Sequence, residues 1–425
     1  MAQKQTRWRK LDNTANLFPV IPGRQASNVF RLSAVLRDEV DGVLLNEALA
    51  DVLPDSAVFG MRLRHGLFWN YLEQNDAPAA AVREQEAPCR AIDPLETNRY
   101  LFRVLYFGAR ISLETYHALT DGTGALRFLQ ALCYRYCQLR YAAELPAGAL
   151  AARYGAEQAL NVQDGYLRSY LPQKAKKTYR EPRAFRLRGE RRMPFDMGVC
   201  TLLMPAQRLR EVCRAQGASV GEMLTAAALM AVREEYLPAR GAKRPVAAFV
   251  PVDLRRVFGC DTSANFFAGV TVREHFGEAQ RPFGEVLASV RAQLAEKTTR
   301  EALAQKLAYT ARGELNFAAR LVPLPLKNGV LRLIYEGSSA GATLTVSNLG
   351  CVSVEPAFAP FIQSMRFLLS ETKGEPVKCA AVTCKDIAAV TVTSQLEGQA
   401  VARNMARRLA RAGVPVTVES AGEEP

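Results

Sequence analysis

Residues 109 to 141 constrain this chain more than any other stretch. Ile111, Leu113, Thr115 and His117 fall on one side of a period-two run, and Arg110, Ser112, Glu114 and Tyr116 on the other. The alternation predicts a strand with one face turned to an interior or a cleft. Thr120-Asp121-Gly122-Thr123-Gly124 then reads as a turn, because Asp and Gly supply the backbone angles a reversal needs. After it, Ala125, Leu126, Phe128, Leu129, Leu132, Cys133, Tyr136 and Leu139 recur at helical spacing. Strand, polar corner and helix in direct succession point to an α/β fold with rigid elements on both sides of the corner.

The corner carries chemistry. The chain has three histidines, His65, His117 and His275. His117 lies on the apolar side of its strand and precedes Asp121 and Gly122. Histidine takes up protons near neutral pH, so this placement suggests a general base; a buried packing histidine is the competing reading. Asp121 is a poorer base, because its carboxylate pKa lies far below that of an alcohol. There is no Gly-x-Ser-x-Gly elbow and no Cys within sequence reach of His117, so nothing calls for a covalent enzyme intermediate. Tyr116 faces the other way and reads as packing. His65 and His275 have no motif around them and read as structural or surface residues.

Alternation and helical spacing outline the rest. Strands are expected near 28–36, in two runs over 99–117 broken at Gly108, and near 198–204, 246–251, 342–347, 363–369, 377–384, 387–393 and 414–419. Helices are expected over 43–53, 124–141, 205–216, 220–236, 283–299, around 301–322, and over 396–412. Ser219 with Glu222 three residues on forms a capping box. No internal repeat appears. These elements divide into an N-terminal half (1–170), a linker (171–196) and a C-terminal half (197–425). Around that linker, Arg168, Lys174, Lys176, Lys177, Arg180, Arg183, Arg186, Arg188, Arg191 and Arg192 are opposed only by Glu181 and Glu190. Such a run is a solvated face or a surface for an anionic partner, such as CoA phosphates, an acidic carrier protein or a membrane surface.

Composition narrows the class. With 425 residues, 49% apolar and 23% charged, the chain can bury a large core in two domains. No apolar run approaches the roughly 18 residues a transmembrane helix needs, and the start lacks the apolar core of a signal peptide. Nine cysteines without regular spacing read as packing thiols of a cytoplasmic protein. Cys133 and Cys137 lie four apart with no metal partners nearby, so no metal is expected. A net charge of +13 comes without helix-turn-helix, zinc-finger or stacking motifs, which argues against nucleic acid.

His117-x-x-x-Asp121-Gly122 resembles the HxxxDG motif of the chloramphenicol acetyltransferase-like superfamily of CoA-dependent acyltransferases and peptide-synthetase condensation domains. Val250-Pro251-Val252-Asp253-Leu254-Arg255-Arg256 with Asn265-Phe266-Phe267 is similar to a block of its second half, and Thr345-Val346-Ser347-Asn348-Leu349-Gly350 to a later strand. Trp8-Arg9-Lys10-Leu11-Asp12 and Arg62 to Trp69 look like the first strands of bacterial alcohol acetyltransferase-type members. The blocks run in order from about Trp8 to Glu419.

The resemblance implies two similar α/β halves, each a mixed sheet with flanking helices, and a substrate tunnel between them with His117 at its middle. It implies acyl transfer from a CoA or carrier-protein thioester to an alcohol or amine in a ternary complex, with acyl-CoA as co-substrate and no resident cofactor. Asp121 would pair with Arg255, or with Arg256, and fix the motif loop. Gly122 would let the backbone pass close to the tunnel, or serve as an ordinary turn glycine. Ser347 and Asn348 would donate to an oxyanion, or end a strand; Asn265 would line the tunnel, or cap a loop. Tyr116 stands where condensation domains carry a second His, which favours acyl transfer over amide formation on carrier-bound substrates. A non-catalytic binding module of the same fold is the remaining alternative. One chain can complete such a site, so a monomer is expected.

Overall fold

The structure is a computed structural model, and it describes residues 8–21, 26–154, 162–170, 181–193, 196–278, 281–315, 321–370, 372 and 374–420. The first part of the chain runs β1 (Trp8–Lys10), β2 (Val29–Leu36), α1 (Gly42–Val52), β3 (Met61–His65), β4 (Asn70–Gln74), β5 (Ala81–Arg83), β6 (Phe102–Phe107), β7 (Arg110–Tyr116) and α2 (Gly122–Arg140). The second part runs β8 (Gly198–Pro205), α3 (Ala206–Ala215), α4 (Val220–Tyr236), β9 (Val246–Asp253), β10 (Phe267–Glu274), α5 (Phe283–Lys297), α6 (Arg300–Leu315) and α7 (Leu324–Ser339). It closes with β11 (Leu344–Val352), β12 (Ile362–Leu369), β13 (Val377–Cys384), β14 (Ile387–Ser394), α8 (Ala400–Arg411) and β15 (Thr417–Ser420).

These strands build a five-stranded sheet in the order β12-β2-β7-β6-β5, a seven-stranded sheet β10-β9-β11-β13-β14-β8-β15, and a small sheet β1-β4-β3. Both large sheets are mixed: β5 runs parallel to β6, and β11 runs parallel to β9 and to β13, while the other pairs are antiparallel. The molecule is thus a two-lobed α/β protein with several mixed sheets and flanking helices.

Each lobe has its own core. Ile111 and Leu113 of β7 pack with Phe30 and Leu32 of β2 and with Phe128, Leu129 and Leu132 of α2. Val246, Ala248, Leu344 and Val346 pack with Met223, Leu224 and Leu229 of α4 and with Met405 and Leu409 of α8. Strand β13 alternates between the two. Val377, Cys379 and Ala381 enter the second core, whereas Ala380 and Val382 enter the first. The sheet is therefore covered on both faces at β13, which is why that strand reads as a near-continuous apolar run.

Three features go beyond the sequence outline. The sheets do not follow its division into halves, because β12 joins β2 at the edge of the five-stranded sheet, in register from Ser364 against Val35 to Leu369 against Phe30. The far face of β7 is not solvated. Glu114 is fully buried and receives Arg31 at 2.7 Å and Arg103 at 2.6 Å, while Ser112 bonds Ser33 at 2.9 Å. Alternation cannot separate such a buried ion cluster from a wet face. Helix α7 was absent from the outline, because Pro325, Gly329 and Gly337 interrupt the usual signals. The Ser219–Glu222 capping box forms as expected. Within the expected linker, 171–180 and 194–195 lie outside the described residues; the neighbouring 181–193 runs along the second lobe, with Phe185 N–H bonding Pro245 O at 2.8 Å.

Candidate functional site

Strand β7 delivers His117 to the seam between the lobes. The strand ends at Tyr116, and the His117 N–H donates to Asn28 O at 2.9 Å, which anchors the corner to β2. The imidazole stacks on Phe18, with ring centroids 4.5 Å apart at 14°, and meets the edge of Phe30 at 5.1 Å. Phe267, from the other lobe, lies 5.5 Å away.

Hydrogen bonds fix the ring's tautomer. The Asn265 side-chain NH2 donates to Asp12 Oδ2 and to the carbonyl of His117, each at 3.1 Å. Both of its N–H groups are then engaged, so Asn265 Oδ1 must accept the 3.1 Å bond from His117, and the proton sits on Nδ1. Nε2 is left with its lone pair. Burial pulls the His117 pKa below its ordinary value, the Asp121 carboxylate pulls the other way, and the Lys378 ammonium adds to the fall. A neutral imidazole with a free lone pair is the protonation state a general base requires.

Asp121 sits beneath the turn as the N-cap of α2, accepting from Gly124 N–H at 3.1 Å. Its carboxylate grips Arg255 through two bonds, 2.9 and 3.0 Å long, and also accepts from Phe266 N–H at 2.8 Å. Arg255 further donates to Thr262 O and Ala264 O at 2.7 Å each, and to Asp253 at 3.0 Å. Burial would raise the Asp121 pKa, but the guanidinium and the two backbone N–H groups outweigh it and hold the carboxyl below its usual range. Asp121 is therefore an anchored anion that joins the lobes. Arg256, the other expected partner, is exposed.

Gly122 lines the cavity, and a Cβ there would meet only the flexible tip of Leu349, at 2.8 Å. Gly124 is the tighter position. A Cβ would lie 2.4 Å from Ser263 O and 2.1 Å from Thr120 Oγ1, so only glycine lets the loop from the other lobe reach the turn.

His117 lines a cavity of about 420 Å³ walled by both lobes. Its lining mixes apolar side chains, among them Leu17, Phe18, Phe30 and Phe367, with polar ones, among them Thr271, Lys306, Glu375 and Lys378. Ser347 and Asn348 both line it. They are not equivalent: Asn348 Oδ1 is engaged by Gly350 N–H at 2.9 Å, whereas among the described residues no partner takes the Ser347 hydroxyl. Asn265 neither lines the cavity nor caps a loop. It is fully buried behind the imidazole.

His65 and His275 lie far from this arrangement on exposed positions, His65 Nδ1 bonding Asn70 Oδ1 at 2.7 Å. All nine cysteines are free thiols, and eight are buried. Among the described residues, no helix is long and apolar enough to cross a membrane.

The sequence reading missed two contributors. Asp12 is buried, caps the short turn that carries Phe18 through Ala15 N–H at 2.8 Å, and is pushed up to about 7 by burial. Tyr166 hydrogen-bonds Thr14 at 2.6 Å and donates to Phe267 O at 2.8 Å, which ties that turn to β10. Their shared signal is faint: lone polar residues in otherwise unremarkable segments.

No protein-family model matches this sequence, and no curated protein does. Solved structures do. Polyketide synthase associated protein 5 from Mycobacterium tuberculosis is similar with a TM-score of 0.59 at 14% identity, over 96% of this chain and 97% of that one. TRI101 of F. sporotrichioides, solved with Coenzyme A and T-2, has a TM-score of 0.64 at 11% identity, over 96% and 99%. The wax ester synthase/diacylglycerol acyltransferase from Marinobacter aquaeolei VT8 has a TM-score of 0.53 at 14% identity, over 95% and 100%. Identities this low speak to architecture: the chain has the two-lobed chloramphenicol acetyltransferase-like fold along nearly its whole length.

Proposed function

We propose that this protein is an acyltransferase that moves an acyl group from a CoA or carrier-protein thioester to an alcohol or amine. The observation that carries the reading is the tautomer lock on His117. Asn265 holds the proton on Nδ1 and leaves Nε2 as a proton acceptor at the wall of an interlobe cavity.

In this reading Nε2 takes the proton of the acceptor O–H or N–H as its heteroatom attacks the thioester carbonyl. The carbonyl oxygen gains negative charge, and the Ser347 hydroxyl, on the cavity wall and without a partner among the described residues, donates to it. The carbon–sulfur bond then breaks, and the imidazolium returns its proton to the leaving thiolate. No group on the protein is acylated. Asp121 and Arg255 touch neither substrate; they hold the corner. The apolar lining residues suit the acyl chain, and the polar ones an acceptor or the pantetheine arm. Solved structures of similar fold include TRI101 in complex with Coenzyme A and a wax ester synthase/diacylglycerol acyltransferase, which supports the thioester as donor.

The test is thiol release from acetyl-CoA and longer acyl-CoAs with a panel of alcohols and amines. The parent is expected to turn over at least one pair, and His117→Ala to lose about 100- to 10,000-fold with an unchanged unfolding midpoint. Turnover that survives His117→Ala would remove the base from the mechanism. Binding of acyl-CoA without turnover in the parent would instead favour a non-catalytic module.

A further inference from the structure

Helix α7 contributes to the wall of the cavity. Its inner side packs Leu331 and Tyr335 on Val20, Ile21 and Ala26, just beyond the turn that stacks Phe18 on His117, and Tyr335 and Ser339 reach the cavity wall. Its outer side has no cover among the described residues. Leu326, Val330, Leu333 and Ile334 are 56 to 70% exposed. At 3.6 residues per turn they fall within an arc of about 100°. A soluble helix places such a stripe against a core; here the stripe faces outward.

The patch continues onto the β3–β4 hairpin. Leu324 N–H bonds Leu67 O at 2.9 Å and Lys327 Nζ bonds Phe68 O at 2.8 Å, so helix and hairpin tip form one surface. Leu67 is 71% exposed and Trp69 41%. Lys10 Nζ lies 5.1 Å over the Trp69 ring. Arg62 and Arg64 share the single carboxylate of Glu73 nearby. The surroundings of the patch thus hold five cations, Lys10, Arg62, Arg64, Lys327 and Arg332, against two acids, Glu73 and Glu336, the latter paired with Arg332 on α7 itself.

We propose that this face docks the protein onto an anionic lipid surface, with α7 lying in the interface. An exposed apolar helical stripe, a tryptophan with a cation over its ring and a surplus of positive charge are the features of helices that rest in the headgroup region. A second copy of the chain would need an acidic counterpart to this rim, and the patch does not supply one to itself. Docking needs no chemistry at His117, so its success or failure is separate from the acyl-transfer reading.

The test is cosedimentation of the full chain with phosphatidylcholine vesicles, with and without 30 mol% phosphatidylglycerol. Binding to the anionic vesicles is expected to exceed binding to the neutral ones and to weaken as salt is raised. A Leu333→Glu/Ile334→Glu variant should bind the anionic vesicles at least about ten-fold less, at an unchanged unfolding temperature. Leu67→Ser, on the hairpin, gives a second reading if the helix variant unfolds, and should also weaken binding. Three results would overturn the proposal: no binding to either vesicle, equal binding to both, or a dimer in sedimentation equilibrium that the double variant dissociates.

Discussion

Removing the Asp121 carboxylate tests how the two lobes are joined. In the native protein it makes two bonds to Arg255, at 2.9 and 3.0 Å, and accepts from Phe266 and Gly124 N–H. Both side chains are less than a tenth exposed. Breaking a buried ion pair by deleting one partner costs about 3 to 5 kcal/mol, because the other charge is stranded. Arg255 would keep Asp253 at 3.0 Å and two carbonyls, so the low end, about 3 kcal/mol, applies. Losing the helix cap adds about 1 kcal/mol, and the orphaned Phe266 N–H another ~1. Asp121→Ala should therefore lose about 5 kcal/mol, read from the midpoint of urea unfolding. An Arg255→Met/Asp121→Ala double variant should lose less than the sum of the singles by about 2 kcal/mol, since neither charge is then stranded. A loss under 1 kcal/mol in Asp121→Ala, or strict additivity, would refute the claim that this pair clamps the lobes.

Four further outcomes follow from the same geometry. Because burial holds His117 below its ordinary pKa, kcat/KM should stay level above pH 6.5 and decline only at more acid pH; Lys378→Met, which removes a repelling cation, should move that decline upward. Asn265→Leu should lower kcat at least about ten-fold with KM within two-fold, because it frees the ring to adopt the wrong tautomer; a change confined to KM would count against the lock. Asp12 is pushed up to about 7 from an ordinary 3.8, so between those values the native state holds a proton that the unfolded chain has released. That contribution stabilises the fold as pH drops from 8 to 5, and Asp12→Asn should gain stability at pH 8 relative to pH 5 against the parent, with parallel pH curves as the contrary result. Gly124→Ala should cost about 1 to 3 kcal/mol by pushing the Ser263 loop away, measured by thermal unfolding, whereas Gly122→Ala should cost less because Leu349 can turn aside.

Local pattern revealed much of the fold. The alternation in 109–117 and the helical spacing in 124–141 correspond to β7 and α2, and most other elements lie within a few residues of their expected bounds. Sheet order was beyond reach. Nothing in the period of 362–369 says that β12 pairs with β2, because partner choice depends on long-range packing rather than on the strand's own pattern. The site divides in the same way. His117, Asp121 and Gly122 sit in one short motif. The Asp121–Arg255 pair, 134 positions apart, came only from the family resemblance. Asn265 was singled out but given the wrong neighbours, since its contact with His117 spans 148 positions. Asp12, at a distance of 253 from Asn265, left no mark beyond its place in an opening segment. Helix α7 hid for a different reason: Pro325, Gly329 and Gly337 interrupt its spacing and read as breakers.

The β12 exchange decides how this molecule can move. A strand from the later half of the polypeptide is stitched into the earlier half's sheet by a ladder of backbone bonds, and its neighbours β11 and β13 belong to the other lobe. The lobes are therefore laced together and cannot swing apart as a hinged shell would. A polypeptide cut short before residue 362 would leave β2 with a bare edge, so the two halves, expressed apart, should clump until they are mixed.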